Sequence, residues 1–277
     1  MIISVASGKG GTGKTTVAVN LALSLNGDIQ FLDCDVEEPN AYIFLKPKIT
    51  HAQSLNVLVP KVDEKLCTYC GKCAKFCFYN AIAVVKNKVL FFPELCHNCG
   101  GCSIVCPEKA IKEVNRPKGV IKEGAANSIR FIHGELNVGE AVSPPLISAV
   151  KKTARNSQIT IVDVPPGTSC PVIEAVKESD FCILVTEPTS FGLNDLVLAV
   201  EAMRKLRIPF GVVINRADVG DKKVEEYCQK EKIPILIRIP MDRQIATAYS
   251  RGIPIVEEMP EYKEKFRKLY KQVEEKM

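Results

Sequence analysis

Short apolar runs alternate along most of the chain with longer segments in which apolar residues recur at helical spacing. The short runs are typical of buried strands, and the longer segments are typical of helices that pack one face on a sheet. Strands and helices that alternate in this way indicate an α/β fold with a mostly parallel, doubly wound sheet. The predicted strands are residues 2–5, 28–32, 54–59, 128–136, 159–163, 181–186, 210–214 and 235–239, and the predicted helices are residues 17–23, 146–156, 193–206 and 261–276.

One cysteine-rich segment, residues 61–116, interrupts this alternation. Within it, residues 81–85 and 89–92 flank a short polar turn and predict a small hairpin. Residues 110–114 resemble a counterpart of that hairpin. Because a surface loop tolerates a compact insertion, the segment is expected to form a domain of its own. The predicted division is one α/β domain of residues 1–60 and 117–277 and an inserted domain of residues 61–116.

The composition suits a folded α/β protein without membrane segments. Of the 277 residues, 46% are hydrophobic and 25% are charged, which is ordinary for a globular protein. No apolar stretch reaches the roughly 18 residues that a membrane span requires. The first apolar run has no basic segment before it, so we expect no signal peptide and a cytoplasmic protein. The last predicted helix interleaves Lys and Glu on its polar face, which favours packing on the sheet over membrane binding.

A glycine-rich loop lies between the first predicted strand and the first predicted helix. Its sequence fits the pattern G-x-x-x-x-G-K-[ST] with Gly8, Gly13, Lys14 and Thr15. Glycines let backbone N–H groups converge on phosphate oxygens, and the start of the helix adds partial positive charge. Lys14 is placed to neutralise the β- and γ-phosphates, and the Thr15 hydroxyl is placed to bind Mg²⁺. The spacing therefore predicts a P-loop that binds a nucleotide with Mg²⁺.

Lys9, a second lysine inside the loop, departs from an ordinary P-loop. The run from Lys9 to Thr15 is KGGTGKT, and it resembles the deviant Walker A motif of the MinD/ParA/Mrp class of ATPases, which includes the nitrogenase iron protein. The resemblance implies that the nucleotide is ATP and that the chain forms an ATP-sandwich homodimer. In such a dimer Lys9 would reach phosphates bound in the partner subunit. By the same resemblance, further nucleotide contacts are expected from Gly10, Gly11, Thr12 and Thr16.

Acidic residues follow two of the predicted strands. Asp33 and Asp35 lie at the end of one, and Asp163 ends another, four residues before Gly167. Ligands bind beyond the carboxyl ends of strands in open α/β sheets. These residues resemble the D-x-D, Walker B and switch II segments of the same ATPase class. The resemblance implies that Asp33 orients the attacking water and contacts Mg²⁺, that Asp163 acts on Mg²⁺ through water, and that Gly167 senses the γ-phosphate.

The same resemblance places the adenine contacts in the last quarter of the chain. Asn215 and Arg216 follow a predicted strand, at the point where this ATPase class carries an Asn that contacts the adenine base. Pro240 and Asp242 follow the next strand and resemble the loop that covers the adenine or the ribose.

Two cysteine runs in the inserted segment share the spacing C-x2-C-x2-C-x3-C. The first contains Cys67, Cys70, Cys73 and Cys77, and the second contains Cys96, Cys99, Cys102 and Cys106. Both resemble the run of two-cluster bacterial ferredoxins, in which the fourth cysteine of each run ligates the other cluster. Pro107 follows the second run as the motif expects, whereas Phe78 follows the first. Structural zinc is the alternative, although zinc sites usually pair one C-x2-C with a distant second pair.

The resemblance to ferredoxins implies two [4Fe-4S] clusters in an inserted bacterial-type, ferredoxin-like α+β domain. Thiolate-bound clusters carry negative charge, which offsets most of the formal net charge of +5. The net charge therefore gives no reason to expect nucleic acid as a partner. The implied ligands are Cys67, Cys70, Cys73 and Cys106 for one cluster and Cys96, Cys99, Cys102 and Cys77 for the other.

Cys170 has two interpretations. It follows Asp163 by seven residues, the offset at which the nitrogenase iron protein carries one ligand of its inter-subunit cluster. That protein supplies a second cysteine from an earlier loop, and residues 134–145 contain none. A structural thiol and a nucleotide-gated contact to a metal or cluster both remain open.

These motifs together resemble a MinD/Mrp-type P-loop ATPase with an inserted two-cluster ferredoxin domain. We expect ATP hydrolysis and dimer rearrangement to be coupled to electron transfer from the clusters to a client enzyme. The alternative is an ATPase that assembles or carries iron–sulfur clusters or another metallocofactor for a client protein. A MinD-like spatial regulator is less favoured, because that function gives no reason for two clusters.

Overall fold

A nine-stranded sheet forms the centre of the protein in a computed structural model that describes residues 1–277. A separate pair of short strands forms a hairpin outside this sheet. The strands are β1 (Ile2–Ala6), β2 (Ile29–Asp33), β3 (Lys48–Val62), β4 (Ile82–Val85), β5 (Lys88–Phe91), β6 (Ile111–Ala126), β7 (Ile129–Leu136), β8 (Ile159–Asp163), β9 (Phe181–Thr186), β10 (Phe210–Asn215) and β11 (Ile235–Ile239).

The helices connect these strands. A single 3₁₀ turn, Pro93–Leu95, accompanies them. The helices are α1 (Lys14–Ser24), α2 (Ala41–Leu45), α3 (Lys72–Phe76), α4 (Gly101–Ile104), α5 (Pro144–Thr153), α6 (Cys170–Val176), α7 (Ser190–Leu206), α8 (Lys223–Lys230), α9 (Arg243–Ser250), α10 (Ile255–Glu258) and α11 (Glu261–Glu274).

The order of the strands in the large sheet is β11-β10-β9-β1-β8-β2-β7-β6-β3. All neighbours from β11 to β7 are parallel, whereas β6 is antiparallel to both β7 and β3. Parallel strands have helices on both faces of the sheet because their crossover connections run there. The prediction of a mostly parallel, doubly wound α/β sheet is confirmed.

The core consists of two apolar layers, one on each face of the sheet. Helices α1 and α11 cover one face, and α5, α6, α7 and α8 cover the other. The apolar stripe of the last predicted helix packs as the sequence indicates, because Tyr262, Phe266, Leu269 and Val273 are all buried in the first layer. None of the helices combines the length and the apolar character that a bilayer span requires.

Strands β3 and β6 form a long antiparallel ribbon at one edge of the sheet. Pairing runs from Lys48 opposite Ala125 to Val62 opposite Ile111. The apolar run at residues 54–59 predicts only part of β3, because the preceding residues 48–54 are exposed without alternation. Such a segment carries no period-two pattern for sequence analysis to detect.

The ribbon carries the cysteine unit, which we define as residues 63–110. The unit contains α3, α4 and the β4–β5 hairpin, in which Ile82 pairs with Phe91. The hairpin is confirmed, but its expected counterpart at residues 110–114 is wrong, because Ile111 pairs with Val62 and begins β6. Ribbon strands thus extend into the residues assigned to the inserted domain, and the division at residues 61 and 116 stays a prediction.

We predict that Phe266→Ala lowers the free energy of unfolding by about 3–5 kcal/mol, because it leaves a cavity in a packed core. Phe266 is fully buried between α11 and the sheet. Urea unfolding followed by circular dichroism measures the change.

Phe191→Ala is the matched control, since this phenylalanine is also helical but 77% exposed. Its effect should stay within about 0.5 kcal/mol, as is usual for surface substitutions. Equal effects of the two substitutions would contradict the packing described for α11.

Candidate functional site

The predicted nucleotide residues lie along one edge of the sheet, where the parallel strands end. The glycine loop follows β1, Asp163 ends β8 and Asp33 ends β2. These three strands are neighbours, and Asp33 lies directly opposite Asp163 in the pairing of β2 with β8. On the other side of β1, Asn215 ends β10, and Pro240 directly follows β11. The order of the strands therefore gathers residues that are far apart in the sequence.

The glycine loop is shaped by close contacts that only glycine permits. Gly13 has φ +90°, in the left-handed region, and a Cβ there would collide with the side-chain amide of Asn215. A Cβ on Gly8 would collide with the backbone of Asp195 in α7. The Asn215 amide in turn donates a hydrogen bond of 2.8 Å to the Thr12 carbonyl. Asn215 thus braces the loop.

The outer side of the loop is open. A Cβ on Gly10 or Gly11 would meet no atom within 4 Å, which leaves room for a ligand beside the backbone. The Thr12 hydroxyl is buried and has no hydrogen-bond partner. Helix α1 begins at Lys14, with Thr15 and Thr16 in its first turn, so its free N–H groups and partial positive charge face this space. The loop fits the phosphates of a nucleotide.

Lys14 is a buried cation among buried carboxylates. Its Nζ lies 2.8 Å from Asp163 Oδ1, 3.2 Å from Asp35 Oδ2 and 3.4 Å from the Thr15 hydroxyl. Burial alone would lower the pKa of Lys14, but the charges of Asp163 and Asp35 outweigh it and raise that pKa above the usual value. Lys14 is therefore charged and ready to pair with phosphate.

Asp33 is fully buried at the end of β2. One carboxylate oxygen accepts a hydrogen bond from the Asp35 N–H at 3.1 Å, and the other accepts one from the Ala41 N–H at 3.1 Å. Burial, and then the neighbouring charge of Asp163, raise the pKa of Asp33 to about 8. These two backbone bonds fix the orientation of the carboxyl group.

Three carboxyl groups thus share the single charge of Lys14. The Asp163 Oδ2 atom is buried and has no hydrogen-bond partner, and the Thr15 hydroxyl lies beside Lys14. Carboxylate and hydroxyl oxygens are the ligands that Mg²⁺ prefers, and it is usually held through several waters. No three acidic side chains converge closely enough here to hold a bare ion, so the oxygens of Asp33, Asp35, Asp163 and Thr15 suit Mg²⁺ that is bound with a nucleotide and contacted largely through water.

Lys9 is directed toward its own chain. A third of its side chain is exposed, and its Nζ lies 3.8 Å from Glu187 Oε2. Glu187 is nearly buried after β9, and its other oxygen accepts a 2.6 Å hydrogen bond from Arg216. Sequence reasoning missed Glu187, although a carboxylate directly after a buried strand was a usable signal.

The remaining predicted residues occupy distinct positions around the loop. Gly167 donates its N–H to the Ser7 carbonyl at 2.9 Å, which ties the segment after β8 to the glycine loop. Asp242 accepts a 2.6 Å hydrogen bond from the Gln244 N–H and caps α9. Cys170 is exposed at the first residue of α6. Contacts of these residues with a nucleotide or a cluster stay predictions.

The eight cysteines of the two runs surround two cavities in the cysteine unit. No three His, Cys, Asp or Glu side chains converge closely enough to hold a single metal ion, so the sulfurs line each cavity without meeting at one point. One cavity is lined by Cys77, Cys96, Cys99 and Cys102, and the other is lined by Cys67, Cys70, Cys73 and Cys106.

The fourth cysteine of each run has the same local contact. The Ala81 N–H donates to Cys77 Sγ at 3.3 Å, and the Ala110 N–H donates to Cys106 Sγ at 3.3 Å. Hydrogen bonds to cysteine sulfur are among the features that set the potential of an iron–sulfur cluster. Each cavity joins three cysteines of one run to the last cysteine of the other, so the donor sets fit two clusters.

Apolar side chains surround the cavity that contains Cys96. Phe78 is 88% exposed beside it, and the rings of Tyr79 and His97 are stacked with centroids 3.4 Å apart. No comparable aromatic group lines the other cavity, where Tyr69 is the aromatic residue present.

Known proteins resemble the whole chain. An uncharacterized protein of Methanocaldococcus jannaschii is 33% identical, over 91% of this chain and 90% of its own length. A protein of Methanococcus maripaludis described as an iron–sulfur cluster carrier protein is 27% identical, over 99% of this chain and 84% of its own length.

Solved structures share the fold. The septum site-determining protein MinD of Pyrococcus horikoshii, in complex with Mg-ADP, has a TM-score of 0.59 at 21% identity and covers 98% of this chain and 95% of its own. The family described as the CobQ/CobB/MinD/ParA nucleotide binding domain matches residues 3–255. That match runs from the first strand past the last and includes the glycine loop, so the chain belongs to the CobQ/CobB/MinD/ParA family of P-loop nucleotide-binding proteins.

Proposed function

We propose that the protein is a Mg-ATP-dependent ATPase that carries or assembles iron–sulfur clusters, with two [4Fe-4S] clusters held in the cysteine unit. The observation that carries the proposal is the presence in one chain of a P-loop lysine among three carboxyl groups and of two four-cysteine cavities. The names of several relatives as iron–sulfur cluster carrier proteins support this function. They favour it over the electron transfer that the sequence motifs led us to expect.

The nucleotide chemistry rests on a change of partner by Lys14. When phosphates occupy the glycine loop, the Lys14 ammonium turns away from Asp163 and Asp35 and toward the negative oxygens of the phosphates. Mg²⁺ would supply the positive charge that the freed carboxylates need. Asp33, held by two backbone N–H groups, then presents a fixed carboxyl group to the water that attacks the γ-phosphate.

A homodimer that encloses ATP completes the proposal. Lys9 has a partly exposed side chain and only a long ion pair, of 3.8 Å, to Glu187. At this distance, and with a third of the Lys9 side chain exposed, the pair holds Lys9 only weakly, although Glu187 itself is nearly buried. Release of Lys9 toward phosphates in a partner subunit therefore costs little, and Arg216 stays as the partner of Glu187.

Cys170 is the proposed contact for the cluster that is delivered to a client. Its exposure on α6 suits such a contact, because a cysteine that serves only packing is usually buried. Cys34, Cys182 and Cys228 are buried and behave as small apolar residues. Resident clusters in the cysteine unit would supply one-electron chemistry to this assembly.

Electron transfer to a client enzyme is the second candidate function. All eight ligands lie in one compact unit with hydrogen bonds to sulfur, an arrangement that suits permanent clusters. The exposed Phe78 beside the Cys96 cavity offers a short approach for an acceptor.

We predict that Lys14→Ala abolishes hydrolysis of Mg-ATP and ATP-stimulated delivery of iron and sulfide to a cluster-free acceptor protein. Iron content after anaerobic purification should equal that of the parent, because the P-loop and the cysteine unit are separate. Phosphate release and acceptor absorbance measure the two activities.

Lys122→Ala is the control, since Lys122 is a partly exposed lysine of the ribbon. If the parent protein passes electrons to the acceptor while all of its iron stays bound to it, the proposed cluster-carrier function is wrong and the electron-transfer function is favoured.

We predict that Lys9→Ala prevents dimer formation in saturating Mg-ATP, with hydrolysis blocked by Asp33→Ala. Light scattering distinguishes a monomer of 30.5 kDa from a dimer of twice that mass. Glu187→Gln is the control, because it frees Lys9 without removing it and should leave dimer formation intact. A dimer that persists without Lys9 would refute the sandwich.

We predict that Cys77→Ser lowers the iron content from about eight to about four atoms per chain, because each cubane has four irons. The spectrum that survives should belong to the cluster of Cys67, Cys70, Cys73 and Cys106. Iron analysis and electron paramagnetic resonance measure both, with Cys228→Ser as a control outside the two sets. Loss of only the cluster that contains Cys67 would contradict the prediction that the fourth cysteine of each run ligates the other cluster.

A further inference from the structure

Lys118 is a fully buried lysine that lines neither of the two cysteine cavities. Its Nζ lies 2.9 Å from Glu140 Oε2, and the other oxygen of Glu140 contacts Arg116. The side chains of Lys118 and Glu140 are 0% and 3% exposed. A buried charge is costly unless it is paired, and removal of one partner is strongly destabilising. We call Arg116, Lys118 and Glu140 the joint triad.

The triad lies at an irregularity of the ribbon. Leu55 of β3 is opposite Gly119, but the next residue, Asn56, is opposite Pro117, so Lys118 is an extra residue in β6. Such a bulge bends a strand and redirects a side chain. Here the Lys118 carbonyl accepts a 3.0 Å hydrogen bond from the Asn137 N–H, directly beyond the pairing of Gly119 with Leu136. The bulge thus attaches the ribbon to the segment after β7.

Beyond the bulge, the ribbon forms one wall of the Cys96 cavity. Leu58 and Pro60 of β3 and Glu113 of β6 line that cavity together with the cysteines. The Asn98 amide, between Cys96 and Cys99, donates a 3.2 Å hydrogen bond to the Leu58 carbonyl. The wall of this cavity is therefore continuous with the strands that meet at the bulge.

The other end of the connection reaches the nucleotide site. Glu140 lies in residues 137–143, and Ser143 at the end of this segment donates a 2.8 Å hydrogen bond to Glu37. The Leu136 N–H donates to the Val36 carbonyl at 2.8 Å. Val36 and Glu37 directly follow Asp35, whose carboxylate lies 3.2 Å from Lys14.

We propose that Glu140 is a positioning residue that transmits the occupancy of the nucleotide site to the Cys96 cavity through the joint triad. The inference rests on the proposed function, since it needs ATP at the P-loop and a cluster in the cysteine unit. Residues 35–37 shift when Lys14 turns to phosphate, Ser143 follows Glu37, and Glu140 then moves against Lys118 and Arg116. The bend of the ribbon converts this movement into a change around Cys96 and Asn98.

Hydrogen exchange of the iron-loaded protein, with and without Mg²⁺ and a non-hydrolysable ATP analogue, tests the inference. In the parent, the analogue should change exchange rates in residues 96–106 and 137–143 by about fivefold or more, the lower range of ordinary coupling between sites. Glu140→Gln should abolish the change at residues 96–106 while leaving the affinity for the analogue unchanged. Ser143→Ala, which removes one hydrogen bond and no charge, is the milder variant and should also reduce it.

Glu135→Gln is the matched control, because Glu135 of β7 also forms an ion pair with a lysine of β6, Lys122 at 2.6 Å, but is 38% exposed. In the Glu135→Gln variant, the analogue should change hydrogen exchange at residues 96–106 as much as in the parent. The paramagnetic spectrum of the reduced clusters provides the second readout, and its nucleotide dependence should disappear in Glu140→Gln and persist in Glu135→Gln. A purely structural role of Glu140 would change the spectrum equally with and without the analogue.

The outcomes separate this inference from the proposed function. A full response at residues 96–106 in both Glu140→Gln and Ser143→Ala overturns the inference, whereas ATP hydrolysis and cluster delivery by the same variants leave the proposed function standing. A parent that binds the analogue without any change at residues 96–106 also overturns the inference. A parent that binds neither the analogue nor iron overturns the proposed function.

Discussion

One ammonium group, that of Lys14, lies among three buried carboxyl groups where the parallel strands end. Asp33 and Asp163 come from neighbouring parallel strands and Asp35 follows the first of them, so these charges are close because the strands are. Without a cation the site would hold uncompensated charge in a buried place, which folding does not tolerate. Burial, and then the neighbouring charge of Asp163, raise the pKa of Asp33 even with Lys14 in place. The glycine loop carries this cation next to the three carboxyl groups. Phosphate binding in the loop would therefore change the charge around all three carboxyl groups at once.

The sheet keeps this site apart from the cysteine unit and still connects the two. Parallel strands β11 to β7 place every loop of the nucleotide site at one edge. The antiparallel strands β6 and β3 then lead the chain away to the cysteine cavities and back. Because both ends of the cysteine unit continue into a single ribbon, the unit has one support. The bulge at Lys118 is part of that support. The buried charge of Lys118 is paired with Glu140, which lies in the segment that follows β7.

Local sequence patterns predicted those parts of the protein for which a short stretch of consecutive residues determines the chemistry or the burial. The glycine loop, the strands that end in Asp33 and Asp163 and the stripe of the last helix belong to this group. The ribbon does not, because residues 48–54 are exposed on both faces and residues 110–114 resemble a second hairpin until their long-range partner is known. Glu187 and Glu140 gain their importance from cations distant in sequence, Lys9 and Lys118. Pairing of that kind depends on the tertiary fold, and a single sequence does not display it.

The position of β1 at the middle of the sheet affects the order in which the protein can form during synthesis. Ile3 pairs with Ile161 on one side and with Phe181 on the other, so the first strand has no neighbour until most of the chain has left the ribosome. The two ribbon strands and the β4–β5 hairpin, in contrast, have each other as partners once residue 126 is made, and β6 gains its second neighbour, β7, by residue 136. Chains fold from the N-terminus as they emerge, and non-local pairing is slow. A nascent chain can therefore enclose its cysteine cavities before it has a nucleotide site.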